Sequence, residues 1–265
     1  MHVTESAETE SKSRIKIKIT SKRRLDTAMV ERGLCESREK AKRAIMAGEV
    51  RINDQVAHKP SDPVKETDAL TINLGEKYVS RGGQKLEHGL EAFQISVTDC
   101  ATIDLGASTG GFTDCLLQRG AAKVYAVDVG QGQFAWKLRQ DPRVVVMENT
   151  NARNLTPGNF PELADIVVVD CSFISLRKII PAAVALLGPS GNIVALIKPQ
   201  FEAGKAEADR GAGVIRDPAV HERVLRELQS FVEEQGGLRW KGLTESPLLG
   251  PAGNKEFLVW IEKAA

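Results

Sequence analysis

The stretch ATIDLGASTGGFT, residues 101–113, decides the fold that the sequence predicts. It joins an apolar run to a loop rich in glycine, and a buried strand that leads into such a loop is typical of the first strand–loop–helix unit of a doubly wound α/β domain. The next apolar run ends at Asp128, 24 residues after Asp104, where a carboxylate commonly binds the hydroxyl groups of a ribose. The stretch therefore predicts a cofactor site at the carboxyl edge of a sheet.

Apolar runs alternate with helical stretches along the rest of the chain. Runs that are apolar throughout are typical of parallel strands covered on both faces, whereas half-exposed strands alternate in polarity. An amphipathic helix is predicted over Gln84–Phe93, because Leu86 and Leu90 fall on one face of it. The predicted strands are Ala101–Leu105, Val124–Val129, Val144–Met147, Ile166–Val169, Ile193–Ile197 and, in a pair near the C-terminal end, Phe257–Ile261. The pattern predicts a Rossmann-like α/β domain.

Two other interpretations of the glycine-rich loop fit the sequence less well. A dinucleotide site would need the pattern G-x-G-x-x-G, which the loop lacks. The string GASTG, residues 106–110, matches the G-x-S-x-G nucleophile turn of hydrolases, and Asp170 and His221 follow in the hydrolase order. That turn belongs in mid-sheet, whereas this loop follows the first strand of the domain. We also expect His221 to face solvent, on a helix over residues 218–235.

The N-terminal part of the chain is basic and has a pattern of its own. Between Ser11 and Lys59 there are 14 basic and 6 acidic residues, whereas the whole chain has a net charge of +1. Two short helices are predicted, which end at Gly33 and Gly48, and Ser37 is the expected N-cap of the second. The local excess of positive charge predicts an anionic partner.

These patterns divide the chain into four segments. We expect a polar tail over residues 1–22 and a small α+β domain over residues 23–76. A linker over residues 77–83 then leads into the α/β domain, residues 84–265.

The string RLDTAMVERGLCESREKAKRAIMAGEVRIND, residues 24–54, resembles the helix–helix–strand RNA-binding module of a small-subunit ribosomal protein, of pseudouridine synthases and of a tyrosyl-tRNA synthetase. The resemblance implies that the basic face of the second helix contacts the RNA backbone. A solvated helix surface is the alternative interpretation of such a charge run. The residues that the resemblance assigns to RNA binding are Arg23, Arg24, Arg38, Lys42 and Arg43.

The string DLGASTGGFT, residues 104–113, resembles the S-adenosylmethionine-binding loop of Rossmann-like methyltransferases. The resemblance implies that this loop surrounds the methionine portion of the cofactor and that Asp128 holds the ribose. Two asparagines that follow the third strand are assigned to the adenine end. The implied cofactor-binding residues are Asp104, Gly106, Ser108, Gly110, Gly111, Phe112, Asp128, Asn149 and Asn151.

Polar groups also follow the later strands. The strings DCSFIS, residues 170–175, KPQFE, residues 198–202, and GNKEFL, residues 253–258, are similar to motifs of FtsJ-like ribose 2′-O-methyltransferases. The catalytic residues that this resemblance implies are Lys85, Asp170, Lys198 and Glu256. Lys198 is the candidate base, because a lysine that is partly desolvated beside another cation can lose its proton near neutral pH. The sequence leaves open which of the two lysines is the base.

The joint pattern resembles the TlyA family over nearly the whole chain after the tail. That family methylates the 2′-hydroxyl group of cytidine in ribosomal RNA, and some of its members have been called hemolysins. The resemblance implies S-adenosylmethionine as cofactor and ribosomal RNA or ribosomal subunits as partners. The alternative is a non-catalytic protein, either an RNA or ribosome binder or a membrane-active hemolysin.

The sequence disfavours several other classes of protein. A membrane-spanning helix needs roughly 18 to 20 continuous apolar residues, but the longest apolar run, Ile179–Leu187, is short and contains Pro181, so we expect no stable membrane insertion. The polar N-terminal stretch lacks the features of a secretion signal, and we expect a cytoplasmic protein. Four cysteines without a C-x-x-C pair predict buried, reduced thiols and no metal site. The segment 203–217 is expected to be either a lid over RNA or a plain connection.

Overall fold

The computed structural model describes residues 22–72, 76–204, 207 and 211–264. The described residues divide into two compact units, one within residues 1–75 and the other within residues 76–265. Residues 1–21 of the predicted polar tail lie outside the described residues, as do parts of the predicted lid segment 203–217.

The described residues of the first unit, 22–72, form two short helices and two small antiparallel sheets. One sheet has the strand order β3-β2-β5, and the other pairs β1 with β4. The elements of this unit are β1 (Arg23–Arg24), α1 (Leu25–Glu31), α2 (Arg38–Met46), β2 (Val50–Ile52), β3 (Gln55–Val56), β4 (Pro63–Val64) and β5 (Leu70–Ile72).

Both helices predicted for this region are confirmed. Ser37 caps α2, because its side-chain oxygen accepts the backbone N–H of Lys40 at 3.3 Å. Gly33 and Gly48 follow the two helices with positive φ angles of 72° and 75°, a backbone conformation that glycine adopts without steric cost. The apolar cluster under the helices is built on Leu25, Ala28, Met29, Ala41, Ala44, Ile45, Val50, Ala57 and Val64.

The second unit is built on a seven-stranded sheet with the order β11-β12-β10-β9-β6-β7-β8. Five neighbouring strands, from β10 to β8 in that order, pair in parallel, and β12 and β11 add an antiparallel hairpin at one side. The elements are α3 (Gly82–Ala92), β6 (Ala101–Leu105), α4 (Gly111–Gln118), β7 (Lys123–Val127), α5 (Trp136–Arg139), β8 (Val144–Met147), β9 (Ala164–Val169), α6 (Ile180–Leu186), β10 (Leu187–Ile197), α7 (Pro199–Glu202), α8 (Pro218–Glu234), β11 (Leu238–Glu245) and β12 (Phe257–Lys263).

The sheet of the second unit is covered on both faces, as the apolar runs predicted. Successive residues of β9 alternate between two apolar clusters, with Ile166 and Val168 in one and Val167 and Val169 in the other. A central strand such as β9 contributes side chains to both faces, so its inner positions are apolar throughout. The Rossmann-like α/β prediction is confirmed, and the antiparallel hairpin at its edge is an addition to it.

The predicted linker, residues 77–83, is shorter than expected because α3 begins at Gly82 instead of Gln84. Tyr78 is buried against the first turn of this helix. A Cβ atom at Gly83 would lie only 2.2 Å from Cγ of Tyr78, so the helix and the aromatic ring pack together only because residue 83 has no side chain. Gly83, placed in the linker by the sequence analysis, thus belongs to the first turn of α3.

Two further expectations about side chains are corrected. His221 is buried on α8 instead of facing solvent, and its Nε2 atom lies 3.0 Å from the carbonyl oxygen of Ile215. All four cysteines are free thiols, but only Cys115 is fully buried.

Within the described ranges, the helices are all too short or too polar to cross a membrane.

Candidate active site

The order of the strands creates a crevice at the carboxyl edge of the sheet. Strand β6 has β7 on one side and β9 on the other, so the chain reverses its direction of travel across the sheet at β6. Connections on the two sides of such a point diverge and leave room for a ligand outside the carboxyl ends of the strands. Asp104 and Gly106 lie at this end of β6, and Asp170 lies at this end of β9.

All four predicted catalytic residues line one cavity of about 480 Å³ at this edge. Asp170 and Lys198 directly follow the parallel strands β9 and β10, while Lys85 comes from α3. Glu256 precedes β12, and since β12 runs antiparallel to β10, its start lies at the same edge as the end of β10. The topology therefore brings together residues that are up to 171 positions apart in the sequence.

Lys198 and Asp170 form the first of two ion pairs in this cavity. The Nζ atom of Lys198 lies 2.7 Å from Oδ1 of Asp170 and donates a hydrogen bond of 2.7 Å to Oγ of Ser172. The lysine side chain is 10% exposed and the aspartate side chain 22%, so the pair is open to the cavity but largely shielded from bulk solvent. Ser172 was not predicted, although it stands in the DCSFIS string two residues after Asp170.

Lys85 and Glu256 form the second ion pair, with Nζ of Lys85 at 2.5 Å from Oε2 of Glu256. Both side chains are buried, at 9% and 1% exposure, so each charge depends on the other for compensation. Gly250 packs against this pair, because a Cβ atom there would lie 2.5 Å from Oε1 of Glu256. The sequence had given no signal for this contact.

A second cavity of about 440 Å³ adjoins the first and includes Asp128 and Asn151. The carboxylate of Asp128 accepts hydrogen bonds from the backbone N–H groups of Ser108, at 2.8 Å, and Gly130, at 2.7 Å. The cavities share four lining residues, which are Gly106, Ser108, Asp170 and Ser172. One elongated ligand can therefore extend from the ion pairs to Asp128.

The glycine-rich loop forms the wall between the two cavities. At Gly106, with φ of 91°, a Cβ atom would lie 2.8 Å from the carbonyl oxygen of Asp170, so only glycine allows β6 and β9 to approach this closely. Gly111 and Phe112 line the first cavity, and their role in binding the cofactor stays a prediction. Gly110 instead serves packing, because a Cβ atom there would meet Leu138 at 2.5 Å.

Asp104 and Asn149 are not placed at either cavity wall. Asp104 is fully buried, its Oδ2 atom accepts the hydroxyl hydrogen of Thr113 at 2.7 Å, and its Oδ1 atom has no hydrogen-bond partner among the described residues. Burial raises the pKa of this carboxyl group to about 7. Asn149 has a positive φ of 53°, and its backbone N–H donates to the carbonyl oxygen of Gly130.

The raised pKa of Asp104 predicts a pH-dependent stability. Between pH 3.8, the ordinary pKa of the carboxyl group, and about 7, the folded state keeps a proton that the unfolded state has lost, so the free energy of unfolding falls as pH rises through this range. Asp104→Asn removes this proton equilibrium. We expect the stability of the variant relative to the unmodified protein to increase from pH 5 to pH 8 in urea unfolding followed by tryptophan fluorescence. A difference that stays constant with pH would contradict this role of Asp104.

Four of the five residues predicted to bind RNA are paired with carboxylates. Asp26, fully buried, accepts hydrogen bonds from Arg24 at 3.0 Å and from Arg38 at 2.8 Å. Burial alone would raise the pKa of Asp26, but the hydrogen bonds from both guanidinium groups outweigh it and lower the pKa to about 2. The remaining predicted RNA-binding residues are Arg23, paired with Glu31, Lys42, paired with Glu39, and Arg43, exposed on α2.

Hydrogen bonds within the second unit fix the described end of the predicted lid segment. Asn254 is 2% exposed; its side-chain amide donates to the carbonyl oxygen of Gly213 at 2.8 Å and accepts the N–H of Ile215 at 2.9 Å. His221 contacts the other side of Ile215. The described end of the segment is therefore fixed by hydrogen bonds to Asn254, two residues before Glu256, and its role as a lid or as a connection stays a prediction.

Comparisons with known proteins agree with this geometry. The model of the FtsJ-like methyltransferase family matches residues 78–263, and the S4 domain model matches residues 23–70. The 16S/23S rRNA (cytidine-2′-O)-methyltransferase TlyA of Mycobacterium tuberculosis is 48% identical over 242 residues, covering 90% of this chain and 89% of that protein. Hemolysin A of Brachyspira hyodysenteriae is 43% identical over 237 residues, covering 89% and 98%.

A solved structure of a hemolysin-named protein from Streptococcus thermophilus is also similar. It has a TM-score of 0.69 and 47% sequence identity, and the match covers 92% of this chain and 89% of that chain. Since one family model spans most of the chain and relatives above 40% identity span nearly all of it, the chain belongs to the TlyA family of FtsJ-like methyltransferases, with an S4 domain at its N-terminal end.

Proposed function

We propose that this protein transfers a methyl group from S-adenosylmethionine to the ribose 2′-hydroxyl group of a cytidine in ribosomal RNA. The observation that carries the proposal is the first cavity, where two lysines and two carboxylates meet next to a second, adjoining cavity that contains Asp128. Paired lysines and carboxylates at the wall of such a cavity are suited to moving a proton from a hydroxyl group. A non-catalytic protein would have no need to keep this arrangement.

The residues present fit the cofactor that the family uses. Asp128 is held rigidly by backbone N–H groups and faces the second cavity, where it would bind the ribose hydroxyl groups of the cofactor. Gly106 and Ser108 line both cavities and would contact its middle, and Asn151 would lie at its adenine end. When bound, S-adenosylmethionine supplies a methyl group on a positively charged sulfur.

The chain's own task is to position and deprotonate the hydroxyl group. A ribose 2′-hydroxyl is a weak nucleophile, so removal of its proton in the transition state accelerates the reaction. In its neutral form, after its own proton has passed to solvent, Lys198 would accept this proton on Nζ, and Asp170, at 2.7 Å, would stabilise the ammonium group that results. Ser172 fixes the direction of the amine by accepting a hydrogen bond from it. Lys85, held by Glu256, would stabilise the negative charge that develops on the ribose oxygen.

The S4 domain would bring the RNA to this site, and we place the reaction on a ribosomal subunit in the cytoplasm. The decisive experiment incubates the protein with S-adenosylmethionine labelled in its methyl group and with each isolated ribosomal subunit, and then maps the labelled nucleotide. The proposal expects label on the 2′-oxygen of a cytidine. Label on a base, or no label on either subunit, would overturn it.

The second cavity leads to a prediction about cofactor affinity. Asp128→Ala removes the carboxylate that faces this cavity, so we expect S-adenosylmethionine to bind about tenfold or more weakly, because a hydrogen bond to a charged group contributes about 1.5–3 kcal/mol. Calorimetric titration with the cofactor measures the change. Asp141→Ala is the control, since Asp141 pairs with Arg143 away from both cavities. An unchanged dissociation constant in Asp128→Ala would exclude the ribose-binding role.

The basic face of α2 leads to a prediction about salt dependence. Replacing Arg38 and Lys42 with Ala should weaken RNA binding and reduce the slope of log K against log salt concentration by about 0.7 to 0.9 for each phosphate contact that is lost. Filter binding to ribosomal RNA at several salt concentrations measures this slope. Arg38 also pairs with Asp26, so Lys42→Ala alone is the matched variant that leaves the buried pair intact. A wild-type slope in the double variant would show that this face is only a solvated surface.

A further inference from the structure

Trp136 is an exposed tryptophan at the first residue of α5, and 71% of its surface is open to solvent. Tryptophan side chains are on average well buried, and an exposed one is typical of a surface that binds something else. The other two tryptophans, Trp240 and Trp260, are partly buried on the β11–β12 hairpin, and the indole N–H of Trp260 donates to Asn192. Trp136 therefore differs from them in both exposure and surroundings.

The backbone around Trp136 is attached to the wall of the catalytic cavity. On one side, the N–H of Ala135 donates to the carbonyl oxygen of Thr109, a residue of the cavity wall. On the other side, Nζ of Lys137 lies 3.0 Å from Oδ2 of Asp114. The same oxygen accepts the N–H of Val79, at 2.9 Å, and Val79 also lines the cavity. Trp136 is thus fixed beside the rim of the cavity that holds the four catalytic residues.

The charge around this rim fits a polyanion. Lys137 follows Trp136 in the sequence, and its side chain is 60% exposed although it pairs with Asp114. Arg81, which is exposed and lines the cavity, is oriented by its hydrogen bond to the carbonyl oxygen of Leu249. Proteins bind single-stranded nucleic acid with exposed aromatic side chains, which stack on bases, and with nearby cations, which contact phosphates, and Trp136, Lys137 and Arg81 supply both kinds of group around this cavity.

We propose that Trp136 stacks on an unpaired base of the substrate RNA, next to the nucleotide whose ribose enters the catalytic cavity. This inference rests on the proposed function for the identity of the RNA, because the ribose must reach the lysines while its neighbours stay outside on the rim. Stacking would hold the RNA strand in place and so contribute to substrate affinity rather than to the chemical step.

The test compares Trp136→Ala and Trp136→Phe with the unmodified protein. Loss of a base-stacking side chain typically weakens binding by about 1–3 kcal/mol, so we expect the Michaelis constant for RNA to rise about 5- to 150-fold in Trp136→Ala. Most of the affinity should return in Trp136→Phe, and kcat at saturating RNA and cofactor affinity should stay unchanged in both. Leu163→Ala is the matched control, because this 44% exposed side chain precedes β9, at the opposite edge of the sheet.

A second readout does not depend on turnover. Addition of protein-free ribosomal RNA, without cofactor, should quench part of the tryptophan fluorescence of the unmodified protein, and this part should be absent in Trp136→Phe. Suppose that the unmodified protein methylates RNA, that Trp136→Ala has the same Michaelis constant for RNA, and that RNA quenches the fluorescence of Trp136→Phe to the same extent. The stacking role is then wrong, and the proposed function stands. If methylation is absent altogether, the proposed function fails, and the quenching still decides whether Trp136 contacts RNA. A change of oligomeric state in Trp136→Ala with RNA affinity intact would assign the surface to a second copy of the chain and overturn the inference.

Discussion

Lys198→Ala is expected to lower the rate of methyl transfer by a factor of about 10² to 10⁴, the usual contribution of a positioned general base. The amine of Lys198 is the group that Asp170 and Ser172 hold at the catalytic cavity, both at 2.7 Å. Since Lys198 acts on the hydroxyl group rather than on the cofactor, S-adenosylmethionine should bind within a few-fold of its normal affinity. Single-turnover kinetics and calorimetric titration separate the two effects.

The conservative variant Lys198→Arg distinguishes a base from a fixed positive charge. Arginine keeps the charge and can still pair with Asp170, but it cannot give up its proton in a protein. We therefore expect Lys198→Arg to be nearly as inactive as Lys198→Ala. Lys255→Ala is the matched control, because Lys255 adjoins Glu256 in sequence but pairs with Glu245 at the surface. Substantial activity in Lys198→Arg would make Lys198 an electrostatic residue and transfer the role of base to Lys85.

Positions at strand ends were predictable from the sequence because they follow from the topology. An apolar run that ends in Asp170 or Lys198 places that residue at the carboxyl edge whenever the run is a parallel strand, whatever the details of packing. The helices of the first unit were predictable for a similar reason, since Ser37 and Gly48 act on the backbone next to them. Local rules therefore predicted the fold and the edge of the sheet where the site lies, whereas the set of four catalytic residues came from the resemblance to FtsJ-like methyltransferases.

Contacts between distant segments could not be predicted in the same way. Asp26 stands in the string RLD, which gives no sign that its side chain is fully buried and clamped by Arg24 and Arg38. His221 was expected to face solvent, because the sequence of α8 does not show that its imidazole contacts the carbonyl oxygen of Ile215. The roles of Asn254 and His221 depend on Ile215, and only the folded chain brings the three together.

The pair of Lys85 and Glu256 is expected to produce the largest change in stability. Glu256→Ala leaves the ammonium group of Lys85 buried and uncompensated, and breaking one partner of a buried ion pair typically costs about 3–5 kcal/mol of folding free energy. The pair is suited to this test because its two side chains are 9% and 1% exposed. All three tryptophans, Trp136, Trp240 and Trp260, lie in the second unit, so urea unfolding followed by their fluorescence reports on this unit.

The double variant Lys85→Met with Glu256→Leu separates folding from catalysis. The two new side chains are apolar and similar in volume to the ones they replace. They remove the cost of burying the two charges together with the attraction between them. We therefore expect the free energy of unfolding to return to within about 2 kcal/mol of that of the unmodified protein, or to exceed it. Methyl transfer should nevertheless be lost, because the cation of Lys85, which would stabilise the developing charge on the ribose oxygen, is missing. Cofactor binding serves as the control for an intact second cavity. If the double variant is both stable and active, the ion pair is a structural feature of the wall, and catalysis depends on Lys198 and Asp170 alone.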